Sequence, residues 1–226
     1  MPSIYIRLAG PLQSWSGRKT TGNFVQTDSV PTRSALLGLI AASQGWSRGE
    51  WESWIEDTDF KIRVDKPGVK VNDFHTVGPH EDEHEFKTRL LKAQGVKKGS
   101  LNKQARNTPD DRGGTSIISR QYLADAEFLV EVNNDKYLDV IRVGLQSPEF
   151  SLYLGRKAFP FSFPFYLGQG DEGALHSLPT VGKESSAKLE LHRRSGETNL
   201  GVSKVTVPCV DSFKSWISAV KTELVR

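Results

Sequence analysis

Five consecutive residues, Tyr153-Leu154-Gly155-Arg156-Lys157, bring together a flat ring, a glycine and two adjacent cations. Glycine lets a backbone approach a ligand closely. Arginine and lysine supply charge for phosphate, and a tyrosine ring offers a face on which a base can stack. The same chemistry recurs near the N-terminus, where LQSWSGRKTTGNF carries Trp15, Arg18, Lys19 and Phe24 between an apolar strand and a helix start. As residues alone, the first cluster reads equally well as a tight surface turn with solvated cations.

Two other stretches carry titratable groups. Between Phe86 and Pro109 there are seven Lys or Arg and no Asp or Glu (Lys87, Arg89, Lys92, Lys97, Lys98, Lys103 and Arg106), which suits a polyanion. His80 and His84 have the i, i+4 spacing of a zinc pair, with His75 nearby. They lie in an acidic, irregular segment without HExxH context, so no metal or other cofactor is expected. The chain has no nucleophile elbow, P-loop or dinucleotide fingerprint. Metal-free RNA cleavage would need only a base, an acid and a cation, for which His75, Tyr122 or Tyr153, and Lys157 are available.

The elements that must position these residues follow from periodicity. Ile4–Ala9 (IYIRLA) is a strand, ended by Gly10-Pro11. Pro31-Thr32-Arg33-Ser34 opens a helix in which Leu36, Leu37, Leu39 and Ile40 recur at helical spacing. Arg48–Glu56 reads as a second short helix, and Phe60–Val64 as a strand whose Lys61 and Arg63 form a cationic face. After the Pro67-Gly68 turn, Val69–Val77 is the returning strand. From Gly78 to Ser119 the pattern dissolves into a segment long enough to be a functional insertion. Gln121–Val132 restores a strand, and Asp135–Leu145 has an amphipathic helical spacing. This β-α-β-β-α order lacks one strand of a ferredoxin-like unit. Strands at Lys188–His192 and Lys204–Val207 and a closing helix over Val210–Val225 complete the reading.

Composition sets the outer bounds. A chain of 226 residues with 37% hydrophobic and 25% charged content suits one large or two small soluble domains. No run approaches the roughly 18 apolar residues of a membrane span. The start, MPSIYIRL, lacks the layout of a signal peptide, so a cytoplasmic location is expected. The single cysteine, Cys209, excludes an intramolecular disulfide and is expected in the core. A net charge of +3 is a modest basic bias whose distribution says more than its total.

With these segments placed, the chain resembles the CasD family, subunits of the type I-E CRISPR Cascade complex within the repeat-associated RNA-binding superfamily. The resemblance rests on IRLAGPLQSW at 6–15, PTRSALLGLIAAS at 31–43, DFHTV at 73–77, SRQYLADAEF at 119–128 and SLYLGRKAFPFSFPF at 151–165. It implies an α+β fold. A ferredoxin-like, RNA-recognition-motif core would span 1–77 and 120–165. A basic β-hairpin thumb insertion would span 78–119, and a small β-rich C-terminal part with a terminal helix 166–226. It also implies a cap on one end of the Cascade backbone that holds the repeat-derived 5′ handle of the CRISPR RNA. The implied partners are that RNA and the backbone and large subunits. Target DNA would be met mainly through the assembled complex, and no membrane is involved.

Residue by residue, Arg120 in SRQYL matches the thumb-base arginine that contacts the handle. Tyr153 and Leu154 match the pair against which handle nucleotides pack, and Arg156 and Lys157 match the basic pair after Gly155. Gln13, Trp15 and Arg33 sit in matching blocks. The segment Lys92–Thr115 is longer and richer in glycine than the family thumb, so no residue within it is assigned. In type I-E systems a separate endoribonuclease cuts the precursor, which implies a non-catalytic binder here. Relatives in another subtype cleave it themselves, so a metal-independent endoribonuclease is the alternative. A third reading is a protein scaffold whose five rings from Phe159 to Tyr166 form an interface or a core.

Overall fold

The computed structural model describes residues 2–15, 20–21, 24–77, 116–196 and 201–225. In chain order its elements are β1 (Pro2–Ala9), β2 (Leu12–Gln13), β3 (Thr20–Thr21), β4 (Phe24–Val25), α1 (Arg33–Ser43), β5 (Asp59–Lys66), β6 (Val69–Val77), β7 (Ser116–Ala124), β8 (Glu127–Asn133), α2 (Leu138–Gln146), β9 (Tyr166–Asp171), β10 (Thr180–Val181), β11 (Ser186–Arg194), β12 (Val202–Val210) and α3 (Phe213–Glu223). The fold is mixed α+β, dominated by sheet. The chain divides into a larger unit (1–19, 26–71 and 121–226) and a smaller one (20–25 and 72–120).

The larger unit is built on a seven-stranded sheet in the order β10-β12-β11-β5-β8-β1-β9. β1 lies antiparallel to both β8 and β9, and β5 antiparallel to β8. α1 falls between β1 and β5 in the chain, and α2 between β8 and β9. Because side chains alternate along a strand, β1 feeds two cores at once. Ile4, Ile6 and Leu8 join Leu36, Ile40, Ile62, Val130 and Ile141 in one apolar cluster. Tyr5 joins Leu129, Leu175, Val205 and Trp216 in the other. Only the first residue of β1 is exposed, as expected of a strand covered on both faces. β9 pairs with β1 and β11 with β5, so residues 166–194 continue this sheet across the boundary expected at 165–166.

β6 has the expected bounds and α1 and β5 agree within two residues, while α2 and α3 each begin three residues later than expected. Others change. The short helix expected over 48–56 is instead a 3-10 turn at Ser53–Asp57, since Gly49 has φ +91°, which no right-handed helix contains. The single strand expected over 121–132 is broken at Asp125, which adopts φ 54° while its N–H donates to the Pro11 carbonyl at 3.2 Å. Aspartate tolerates this left-handed region better than most residues. Cys209 is half-buried on β12 rather than in the core.

The cationic face expected on β5 is not a solvent face. Arg63 is 0% exposed. Its Nε and Nη2 donate to the two Asp65 oxygens at 2.8 Å each, Nη1 donates to the carbonyls of Leu175 and Leu178, and Nη2 also reaches the Pro179 carbonyl. Lys61 bridges buried Glu131 at 2.7 Å and Glu172 at 3.0 Å. Burial opposes the Lys61 charge, yet its hydrogen bonds to the two carboxylates outweigh that and hold its pKa above the ordinary lysine value.

In the smaller unit, β3 and β4 form an antiparallel hairpin, β4 lies parallel to β7 through Phe24↔Ser119 and Val25↔Arg120, and β6 also pairs with β7. Most of the expected basic insertion, together with Arg18, Lys19, His80 and His84, lies outside the described residues. Among the described residues, no group of three or more His, Cys, Asp or Glu could hold a metal ion, and no helix is long and apolar enough to cross a membrane.

Candidate nucleic-acid interface

The loop carrying Tyr153-Leu154-Gly155-Arg156-Lys157 is fastened to the strand end at Ser14. The Ser14 N–H donates to the Leu154 carbonyl at 3.0 Å, and the Leu154 N–H donates to the Phe159 carbonyl at 2.8 Å. The Phe159 N–H in turn donates to the Arg156 carbonyl at 2.9 Å and closes the turn. Gly155 sits at φ +82°, and a Cβ there would lie 1.8 Å from the Ser14 carbonyl oxygen. Glycine is therefore required twice over, by its dihedral and by this contact.

The turn sorts its side chains. Leu154 is 0% exposed and belongs to the core, as does Phe159. Tyr153 is 38% exposed, and Lys157 is also exposed. Arg156 is half-buried, with Nη1 donating to the Tyr122 hydroxyl at 3.2 Å and Cζ 5.2 Å from the centre of the Tyr122 ring. Tyr122 meets Phe159 edge to face, with ring centres 4.9 Å apart. Beside Tyr153 a cleft of about 600 Å³ runs along α1, walled by Ala35, Gly38, Trp46, Trp51 and Leu152. Thr32 caps that helix by accepting the Ala35 N–H.

The N-terminal block plays a different part. Trp15 is 1% exposed. Its indole N–H donates to Gln13 Oε1 at 2.9 Å, while Gln13 Nε2 donates to the Ala126 carbonyl at 2.7 Å. The Trp15 N–H donates to Thr27 Oγ1, and its carbonyl accepts the Asp28 N–H at 2.9 Å. Gln13 and Trp15 thus lock the chain on either side of Ser14, the residue on which the Tyr153 loop rests. Arg33, at the start of α1, pairs with Glu56 at 2.8 Å and reaches the Glu56 and Thr58 carbonyls. Arg120, on β7 in the smaller unit, has a buried Nε with no hydrogen-bond partner among the described residues.

Of the residues singled out from the sequence, the structure brings Gln13, Trp15, Tyr153, Leu154, Gly155, Arg156 and Lys157 onto one framework in the larger unit. It gives Arg33 a separate ion pair. The seat of Arg156 on Tyr122 was not legible beforehand, because the two lie 34 positions apart and no local pattern links them. Along Phe159–Tyr166 the rings divide as well. Phe161 and Phe165 pack on each other at 4.4 Å, whereas Phe163 is largely exposed.

Comparisons with known proteins give the chain a family. The family model for CRISPR-associated protein (Cas_Cas5) matches residues 3–214. The chain is 28% identical to the CRISPR system Cascade subunit CasD of Escherichia coli (strain K12), over 73% of this chain and 70% of that protein. It superposes with a TM-score of 0.70 and 27% identity on a chain of a structure described as a CRISPR RNA-guided surveillance complex, covering 97% of this chain and 99% of that one. A second structure, described as a Cas protein, gives a TM-score of 0.57 at 25% identity, covering 91% and 95% of the two chains. With one family model spanning nearly its whole length, the chain belongs to the CRISPR-associated Cas5 family.

Proposed function

We propose that this chain is a non-catalytic subunit of a Cascade complex that binds the repeat-derived 5′ handle of the CRISPR RNA and caps the backbone filament. The observation that carries this reading is the loop on Ser14, which turns Tyr153 and Lys157 outward and seats Arg156 half-buried on Tyr122, while Leu154 anchors it in the core. A ring and two cations on a rigid turn suit a single-stranded RNA, with the ring on a base and the cations on phosphates. The relative described as a Cascade subunit, and the match to a chain in an RNA-guided complex, support the same assignment.

Within this reading the site residues divide by task. Tyr153, Arg156, Lys157 and Arg120 contact RNA. Gly155 lets the turn close, while Gln13, Trp15 and Leu154 hold it, and Arg33 fixes the start of α1. The fold reading that goes with it is a ferredoxin-like core. The antiparallel order β9-β1-β8-β5, with α1 and α2 as its two crossovers, supports that reading. In this division 78–119 is the thumb insertion, and β9 supplies the fourth core strand.

The alternative, a metal-independent endoribonuclease, draws on His75, whose Nδ1 lies 4.0 Å from Asp73. One experiment separates the two. The purified chain is incubated in EDTA with labelled precursor RNA copied from the CRISPR repeats of its own genome. Tight, salt-sensitive binding with intact RNA supports the binder, and cut RNA overturns it in favour of the nuclease. RNA that is neither bound nor cut at low salt rejects both.

A further inference from the structure

Arg156 is held in a way that decides which of its edges faces outward. Its Nη1 donates to the Tyr122 hydroxyl, and its guanidinium carbon lies over the Tyr122 ring. Tyr122 is itself fixed, being buried on β7 with its ring edge-to-face against Phe159. Phe159 closes the same turn through its hydrogen bonds to Leu154 and Arg156. A guanidinium is planar and its five N–H groups form a fork. With Nη1 held on Tyr122 and Cζ 5.2 Å from the ring centre, Nε and Nη2 form an edge that donates to no other group among the described residues. That edge matches the two oxygens of a phosphate.

We infer that Tyr122 is a positioning residue for RNA recognition: it orients Arg156 so that its free edge makes a forked contact to one phosphate of the bound strand. This rests on the reading of the 153–157 loop as an RNA-binding site. The aromatic ring and the hydroxyl act separately, one attracting the cation and the other fixing its rotation. Lys157, beside it, remains a point charge that any nearby phosphate satisfies. Arg156 would then set the register of the RNA backbone, and Lys157 would add affinity without register.

The test uses the full chain and a labelled single-stranded RNA copied from one repeat of the genome's CRISPR array. Affinity is measured against salt for wild type, Tyr122→Phe, Arg156→Lys, Arg156→Ala and the Tyr122→Phe/Arg156→Ala double variant, with the unfolding temperature of each recorded. Arg156→Ala is expected to weaken binding about tenfold and flatten the salt dependence by about 0.7 in log–log slope. Arg156→Lys, which keeps the charge and loses the fork, keeps the slope yet binds several-fold more weakly. Tyr122→Phe should weaken binding about fivefold in the wild-type background and have no effect in the Arg156→Ala background.

A purely structural role for Tyr122 predicts the same loss in both backgrounds, and that result overturns the inference. So does an unchanged affinity of Tyr122→Phe when Arg156→Ala is weakened, in which case the RNA site stands and the positioning role falls. If Arg156→Ala leaves both affinity and slope unchanged, the reading of the loop as an RNA site falls as well.

Discussion

Arg63 on β5 and Arg156 in the loop after Tyr153 are the same residue type in the same folded unit, and both hold a guanidinium against a fixed partner. Arg63 is sealed at the edge of the second core, its nitrogens bonded to Asp65 and to three backbone carbonyls of the 175–179 turn. Among the described residues, Arg156 meets the hydroxyl and the ring of Tyr122. The difference is one of saturation. A guanidinium whose donors are all engaged by the protein has nothing to offer a ligand and serves to tie distant segments together. One held on a single side is both oriented and available. Charge alone does not separate binding cations from structural ones, whereas the count of unengaged donors does.

The largest expected effect tests the saturated member. Arg63→Met should lower stability by about 3–5 kcal/mol, because it leaves Asp65 buried without its partner and three carbonyls without donors. Denaturant unfolding measures it, and RNA affinity of the folded fraction should not change. A small loss of stability would show that water or a shifted side chain satisfies those carbonyls, and would weaken the contrast with Arg156.

Next comes Gly155→Ala, which forces a Cβ into the Ser14 carbonyl at a left-handed dihedral. It should cost about 2 kcal/mol of stability and also abolish high-affinity RNA binding, since the turn that presents Tyr153 and Arg156 cannot close. Stability lost without any loss of RNA affinity would separate the turn from the binding face.

Lys157→Ala bears on the exposed side of the comparison. It should leave the unfolding temperature unchanged, weaken RNA binding a few-fold and reduce the salt slope by about 0.7. An unaltered slope would remove Lys157 from the phosphate-binding set.

The smallest effect concerns the partly open Lys61–Glu172 pair. The hydrogen bond and charge of Lys61 hold the Glu172 carboxyl below its ordinary range. A lowered folded pKa gives stability that is present above the unfolded value, about 4.3 for glutamate, and lost as pH falls through the folded value. The small difference in unfolding temperature between wild type and Glu172→Gln at neutral pH should therefore vanish in acid. A difference that persists below about pH 3 would have another origin.

Much of the framework can be read from local patterns. A run of β-branched and aromatic residues marks β1, alternation marks β5, helical spacing marks α1 and α2, and Gly10-Pro11 marks the end of the first strand, because each depends on residues a few positions apart. The candidate loop is legible for the same reason, its ring, glycine and cations being adjacent. The fate of the β5 cations is not. Alternation places Lys61 and Arg63 on one side of a strand, but the carbonyls that accept from Arg63 come from a turn 112 residues later and onward. Trp15 likewise stands in a polar stretch that looks accessible, and its burial follows from Thr27, Gln13 and the strands around them.

The sequence by itself determined the family, the three helices, strands β1, β5, β6, β11 and β12, and the chemical character of the 153–157 loop, since these are properties of residue type and short spacing. Tertiary structure decided which cations are enclosed and which stay open, why residue 155 must be glycine, and that Tyr122 is the seat of Arg156. Those outcomes turn on hydrogen-bond partners and close contacts between segments far apart in the chain, and no local periodicity encodes which distant carbonyl or ring a side chain will meet.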